Sequence, residues 1–470
     1  MSAAADRFAE HLAAKIGTGA AAPSELLARV NAAFSRHDFA AVLAPDAADG
    51  AAAILAICSA EGWPVIPIGA GTWLDAGARR PAAAAHDKGA ASTAAAASAD
   101  PTRPPVLLST VRLNRITEHE PADLVIGVQA GLSLERLTAA LAAKQQWLPL
   151  DPAAAPQATI GAVAANASAG PLQARHGTPR DMVLGVEIAT GDGRLLRFGG
   201  RVVKNVAGYD GVRLTVGSRG TLGLITALYV RVRGAARADR TLAVPCGAGE
   251  AGARGGAELA LALRDAAECD AIELVSPAVA GRSGLGPPGW YLLVRLLGSE
   301  AGVTEGLERC HRIVSGGPPA GPQSGGTAAE MPSAVWESLA RLEAGAETAL
   351  RLTGPATGLA DVAGALSARA RLADAEGAGR ADGWLMAAHA ADGVIRLWRA
   401  EDGPDGIMDH DEPAEIAAGS GWTLRYDRTP LAAVTGPGDR RADRDAVRTL
   451  TGRLRAVFDP AGIMSGAAEA

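Results

Sequence analysis

Arg201-Val-Val-Lys-Asn-Val-Ala-Gly-Tyr-Asp-Gly-Val-Arg-Leu-Thr-Val-Gly-Ser-Arg-Gly-Thr-Leu-Gly-Leu-Ile-Thr226 is the densest run of turn chemistry in a chain otherwise rich in alanine. Gly208-Tyr209-Asp210-Gly211 reads as one turn and Gly217-Ser218-Arg219-Gly220 as a second. Gly223 then opens an alternating apolar run, Leu224 to Val232, with the period of a strand. Glycines this close together mark backbone that must approach another backbone or a ligand.

Two further segments share that character. Trp63 to Ile68 reads as a buried strand and feeds into Gly69-Ala70-Gly71-Thr72. A strand followed by a glycine turn presents successive N–H groups to an anion such as a pyrophosphate. A Rossmann fingerprint would need a third small residue and then a helix, but Leu74 stands at that place. A Walker loop would need Lys-Ser or Lys-Thr, which is also missing. The other segment, Ala158-Thr159-Ile160-Gly161-Ala162-Val163-Ala164-Ala165, has almost no side-chain volume. It reads as a tight helix that admits a flat ligand or a second helix.

Around these segments the pattern alternates between helices and strands. Helices are expected at about 49–61, 134–144 (capped by Ser133), 254–268, 300–314, 358–373 and 443–457. Strands are expected at 39–43, 106–109, 124–130, 242–244, 272–275 and 291–297. Pairs are expected at 183–190 with 195–198 about Gly191-Asp192-Gly193, and at 384–389 with 393–399. The stretch Arg79 to Pro105 is built of Ala, Ser and Pro and reads as a disordered loop, as does the Gly/Pro segment 315–332.

With 470 residues the chain exceeds what one core usually serves. Net charge is −6, with basic residues spread thinly, so no nucleic-acid footprint is present. Cys58, Cys246, Cys269 and Cys310 lie far apart, without metal spacing, and read as isolated thiols. The N-terminus lacks the apolar core of a secretory signal, and no run has the length of a membrane span. These features predict a cytoplasmic protein, free or attached to a membrane through partner subunits.

Taken together, Pro67 to Gly77, Asp151-Pro152, Ala158 to Gly161, Arg175-His176-Gly177, Lys204 to Asp210 and Gly217 to Thr226 resemble the FAD-linked oxidases of type 4. That family has the PCMH-type, vanillyl-alcohol oxidase-like fold. The resemblance implies an α+β architecture: a two-subdomain PCMH-type FAD-binding domain at 35–235, with residues 78–105 as an insertion. A helical extension (1–34) precedes it, and a smaller α+β cap domain (240–466) follows. Within the family the chain is similar to the FAD-binding accessory subunit of glycolate oxidase. That similarity includes the tail Val457 to Ile463 and His389-Ala-Ala-Asp-Gly393. Arg219 stands where the large catalytic subunit carries Glu, and that subunit's Gly-Glu-His-Gly-Ile-Gly helix is missing.

The resemblance implies that FAD contacts Pro67, Gly69, Ala70, Gly71, Thr72, Asp151, Thr159, Gly161, His176, Gly177, Gly220, Thr221, Gly223 and Ile225. No histidine lies between His37 and His86, so the flavin is expected to be bound without a covalent link. No metal is expected. Oxidising a small 2-hydroxy acid requires a base and a cation for the carboxylate. His389, His176 and Arg175 are the candidates, with a strand position for His389 and a structural turn for His176 as the competing readings. Arg396 is a further cation that nothing in the sequence singles out.

Three functions remain open at this point. One is the flavin subunit of a glycolate-type dehydrogenase complex, working with a larger catalytic flavoprotein and an iron–sulfur subunit. Another is a self-sufficient glycolate or D-lactate dehydrogenase. The third is a catalytically silent flavin-binding assembly subunit.

Overall fold

The structure is a computed structural model that describes residues 11, 20–33, 39–72, 103–153, 156–201, 209–316, 327–346, 348–369, 372, 383–399, 411–428 and 444–464. The expected insertion lies outside these residues up to position 102. Lys204 to Gly208 and residues 317–326 also lie outside them.

A short helix, α1 (Ser24–Ala33), precedes β1 (Ala41–Leu43), α2 (Ala48–Glu61), β2 (Val65–Ile68) and β3 (Val106–Ser109). These three strands form a parallel sheet in the order β1-β3-β2. All four residues of β3 are buried, as a central parallel strand covered on both faces requires. α2 covers one face with Ala51, Ile54, Leu55 and Cys58. It ends where Gly62 adopts a left-handed conformation (φ 71°) and donates its N–H to Cys58.

The next layer contains β4 (Ile116–Glu120), β5 (Val125–Gln129), α3 (Leu134–Ala142), β6 (Gln146–Trp147) and α4 (Ile160–Asn166). It continues through α5 (Gln173–His176), α6 (Pro179–Met182), β7 (Val183–Ala189), β8 (Leu195–Gly199), α7 (Gly211–Thr215) and β9 (Leu224–Arg231). Five of its strands make an antiparallel sheet in the order β4-β5-β9-β7-β8. β9 alternates buried and half-buried positions beyond Thr226, and its inward side chains pack with Ile126, Val128, Val186 and Ile188. Ser133 caps α3 through Arg136 N–H, and Thr159 caps α4 through Ala162 N–H. The first part of the opening stretch is not a plain turn. Asp210 accepts from Arg213 N–H at 3.0 Å and so starts the helix α7.

The C-terminal half begins with β10 (Arg233–Gly234) and β11 (Ala238–Gly247), then α8 (Gly249–Ala266), β12 (Ala271–Val275), α9 (Pro277–Arg282), β13 (Trp290–Gly298) and α10 (Glu300–Ser315). It continues through β14 (Ala329–Met331), α11 (Ala334–Ala344), β15 (Thr348–Thr353), α12 (Leu359–Arg369), β16 (Leu385–His389), β17 (Val394–Arg399), α13 (Asp411–Gly419), β18 (Thr423–Arg428) and α14 (Arg444–Phe458). Eight strands form one antiparallel sheet, β14-β11-β13-β12-β16-β17-β15-β18. Helices α8 and α12 cover one face, with Ala257, Ala260, Leu263, Val362 and Leu366 against Leu274, Leu292 and Met386. The opposite face meets Trp336 and Val335 of α11 and, from the N-terminal half, Leu172.

The chain end crosses back. After α14, Ile463 accepts the Val65 N–H at 2.7 Å and Met464 bridges Val65 in parallel. Asp459 holds this tail by accepting from Ile463 N–H (3.0 Å) and Met464 N–H (2.8 Å). Phe458, Ile463 and Met464 are buried in the cores of the N-terminal half, although they follow the other half in sequence.

Candidate functional site

The three glycine-bearing segments meet. Ser109 Oγ donates to the Gly69 carbonyl at 2.7 Å, and Thr110 N–H donates to Ile68, so the end of β3 holds the first loop against β2. A Cβ placed on Gly69 would lie 2.4 Å from Thr159 Oγ1 and 3.3 Å from Ala162 Cβ. The first loop therefore sits directly on the start of α4. The same helix is held from behind, where Gly161 N–H donates to Ala130 and a Cβ on Gly161 would lie 2.6 Å from Ala130 Cβ.

The Gly217–Gly223 turn closes on the other end of α4. Gly217 N–H donates to Ala164 and Arg219 N–H to Ala165 at 2.8 Å. Gly220 has φ 80°, and a Cβ there would meet Pro67 Cγ at 2.9 Å. Arg219 itself is left-handed at φ 53°, an uncommon conformation for a residue with a Cβ. Pro67, Gly69, Thr159 and Gly220 are thus in one place although about 150 residues separate the first from the last. Gly69, Gly71, Thr72, Ala162, Ala165 and Thr221 are half-buried there, while the Ile225 side chain lies in the core. The result is a cradle of backbone and very small side chains, whose segments pack so closely that an added Cβ at Gly69, Gly161 or Gly220 would push them apart. A flat, extended phosphate-bearing ligand fits such a surface.

Asp151 and His176 lie where the N-terminal half meets the C-terminal sheet. Asp151 accepts from Leu172 N–H through both oxygens (3.3 and 3.2 Å). Gly170 is required beside it, because a Cβ would sit 2.0 Å from the Asp151 carbonyl. Burial pushes the Asp151 carboxyl up to about 7, against the opposing pull of the Leu172 N–H and of Arg295 and Arg396. His176 Nε2–H donates to Asp270 Oδ1 at 2.9 Å, and its ring packs edge-on to Trp147. Arg175 is half exposed and pairs with Glu268 at 3.3 Å.

On the facing sheet a polar cluster interrupts the apolar surface. Glu273 on β12 pairs in register with His389 on β16, and Ala387 pairs with Arg396 on β17. Period-two alternation therefore brings all three side chains to one face. Glu273 Oε2 takes the His389 Nδ1–H at 2.5 Å, and its Oε1 takes Arg396 at 3.1 Å. Arg396 also binds Glu343 of α11. Burial alone would raise the Glu273 carboxyl, but His389 and Arg396 hold it below the usual carboxylate range. Among the described residues, His389 Nε2 and Arg396 Nε are buried without a partner.

Sequence reasoning names His389 but not Glu273, Glu343 or Asp270. The one signal available is a glutamate at the centre of the otherwise apolar strand Ala-Ile-Glu-Leu-Val. Among the described residues no group of His, Cys, Asp and Glu is placed to hold a metal ion. No described helix is long and apolar enough to cross a membrane.

Residues 88–199 match the family model of the FAD binding domain. The chain is an FAD-binding protein related to glycolate oxidase subunits and D-lactate dehydrogenases. Glycolate oxidase subunit GlcE of Escherichia coli (strain K12) is 45% identical over 134 residues, 28% of this chain and 38% of that protein. Glycolate oxidase subunit GlcD of Bacillus subtilis (strain 168) is 33% identical over 192 residues, 41% of this chain and 36% of that one. D-lactate dehydrogenase of Archaeoglobus fulgidus is 30% identical over 204 residues, 43% and 41% of the two chains. Each match thus spans about two fifths of the relative's own length. The fold extends further. The 4-ethylphenol oxidase from Gulosibacter chungangensis, in its isoeugenol complex, superposes with a TM-score of 0.69 at 15% identity, over 99% of this chain and 97% of that one. Alkyldihydroxyacetonephosphate synthase superposes with a TM-score of 0.60, over 90% and 75% of the two chains.

Proposed function

We propose that this chain is the flavin subunit of a glycolate-type 2-hydroxy-acid dehydrogenase complex. It holds FAD without a covalent bond and passes electrons between a larger catalytic flavoprotein and an iron–sulfur subunit. The meeting of the loops at Gly69, Thr159 and Gly217–Gly223 is the observation that carries this reading. Likeness to glycolate oxidase subunits GlcE and GlcD supports the assignment to such a complex.

When bound, FAD supplies a two-electron acceptor that also exchanges electrons singly. The chain's own residues do the holding. Backbone N–H groups at Gly69 to Thr72 would hold the phosphates, and the small residues of α4 with Gly220 and Thr221 would admit the rest of the cofactor. Asp151, His176 and Gly177 form the wall toward the cap. Under this reading Arg396 would not hold a substrate carboxylate, since two of its nitrogens are committed to Glu273 and Glu343. A substrate carboxylate would compete with two buried carboxylates for that guanidinium.

A second reading, a self-sufficient dehydrogenase, is favoured by one observation. Glu273 orients His389 through Nδ1 and leaves Nε2 without a partner among the described residues, the arrangement of a general base. Under that reading His389 takes the substrate hydroxyl proton, with Arg175 or Arg396 opposing the carboxylate.

The deciding experiment is anaerobic absorption spectroscopy of the FAD-loaded full chain with glycolate or D-lactate, alone and together with a larger glycolate oxidase flavoprotein. The proposal expects flavin that acid releases from the protein, no bleaching by either acid alone, and bleaching once the catalytic flavoprotein is present. Bleaching by the chain alone establishes the second reading instead. A chain that cannot be loaded with FAD overturns both, and a flavin that stays oxidised under every condition leaves the assembly role.

A further inference from the structure

Cys269 and Cys310 lie with their sulfurs 3.9 Å apart, one in the turn before β12 and the other on α10. Cys310 is fully buried, whereas Cys269 is half-buried and lines a cavity of about 430 Å³. That cavity opens between α5 and the C-terminal domain, and Arg175, Arg264, Arg309, Glu268 and Asp392 also line it. Guanidinium and carboxylate groups thus line it together with a thiol, Arg175 pairing with Glu268 and Arg264 with Asp265. Cys58 and Cys246 are both fully buried, and neither lines this cavity.

We propose that Cys269 and Cys310 are a reversible dithiol site whose substrate is a small disulfide bearing amino-acid head groups, of the glutathione or cystine kind, admitted through this cavity. The mixed charges of the rim match a molecule that carries both ammonium and carboxylate groups. In the first step the Cys269 thiolate attacks one sulfur of the small disulfide. That S–S bond breaks, one small thiolate leaves, and Cys269 carries a mixed disulfide. The Cys310 thiolate then attacks the Cys269 sulfur and expels the second small thiolate. The two protein thiols lose two electrons, the small disulfide gains them, and the two protein protons pass to the two thiols released.

Cys310 suits the second step by position, because its sulfur lies 3.9 Å from that of Cys269 and is itself buried away from the cavity. The contact with Cys310 and burial hold the Cys269 thiol above the usual range, so the first attack should quicken as pH rises. The sulfurs must close from 3.9 Å to about 2.05 Å, a movement within the reach of side-chain rotation and of the short turn that carries Cys269. Asp270 is the next residue, and its carboxylate holds both His176 and the Leu297 N–H. The dithiol therefore lies one residue from the contact between the two halves of the chain. Disulfides in reducing compartments are commonly of this transient, sensing kind.

The test treats the full chain, free of reductant, with oxidised glutathione and separately with 2-hydroxyethyl disulfide, which has no charged groups. Thiols are counted under denaturing conditions, and the linked peptide is identified by mass. The expected result is a fall from four thiols to two, with Cys269 joined to Cys310 and full recovery on adding dithiothreitol. Oxidised glutathione should react at least several-fold faster than the uncharged reagent. Cys310→Ser should stop at a mixed disulfide on Cys269, about 305 Da heavier, because the second attack is lost. Four thiols remaining, or linkage through Cys58 or Cys246, would overturn the site. Equal rates with the two reagents would overturn the head-group recognition.

Discussion

His176, in the last turn before Gly177, donates its Nε2–H to Asp270 Oδ1, joining the N-terminal half to the C-terminal sheet, at 2.9 Å with both side chains nine-tenths buried. Asp270 Oδ2 is occupied at the same time by the Leu297 N–H at 2.6 Å. One carboxylate therefore joins α5 to the start of β12 and the end of β13. Asp270→Ala leaves two buried donors unsatisfied and should cost about 2 to 3 kcal/mol. Urea unfolding followed by tryptophan fluorescence checks this through the midpoint, and an unchanged midpoint would refute it.

Glu273 is the hub of the buried cluster on the cap sheet. Its removal strands Arg396 and the His389 Nδ1–H together, so Glu273→Ala should destabilise the fold by about 3 to 5 kcal/mol. Glu343→Ala should cost less, because Glu273 still faces the guanidinium. Chemical denaturation of the two variants should rank them in that order.

Asp151 predicts a pH dependence with a definite sign. Unfolded, its carboxyl loses a proton near 3.8; folded, it keeps that proton to about 7. The folded state therefore binds more protons between those values, and this residue's contribution falls as pH rises through the window. Asp151→Asn should be most stabilised relative to the parent at pH 8 and gain little at pH 4.5. Thermal melts across that range should show the two curves diverging with pH; parallel curves would count against the assignment.

Gly69 has no room for a side chain, since a Cβ would lie 2.4 Å from Thr159 Oγ1. Gly69→Val should push the first loop off α4 and weaken FAD binding by at least tenfold, about 1.4 kcal/mol. Gly234→Ala, where nothing lies within 4 Å of the added carbon, should leave binding unchanged. Titration of flavin fluorescence against the apoprotein measures both.

The cradle is largely legible in the sequence because turns, caps and tiny residues act locally. Ser133 and Thr159 cap the helices their spacing announces, and Gly191-Asp192-Gly193 closes the hairpin between β7 and β8. Sequence and structure part where local chemistry admits two outcomes. Asp210 reads as a turn residue but caps α7, since the same side-chain acceptor serves both. Strand β14 lies in the segment 315–332 that reads as a loop, and β15 and β18 escape notice because their alternation, Leu350-Arg351-Leu352 and Leu424-Arg425-Tyr426, is too brief to stand out.

By itself, the sequence determined which segments can approach a ligand closely, since the absence of a side chain at Gly69, Gly161 and Gly220 is a property of single residues. It also determined the alternation that builds the sheets. Only the tertiary structure decided that Glu273, His389 and Arg396 share one face of the cap sheet, although Glu273 lies more than a hundred residues before the other two. The tertiary structure also returned Ile463 and Met464 to the edge of β2. Strand register and chain return depend on which surfaces bury together. No local spacing encodes them, because the energy that selects them belongs to the packed whole.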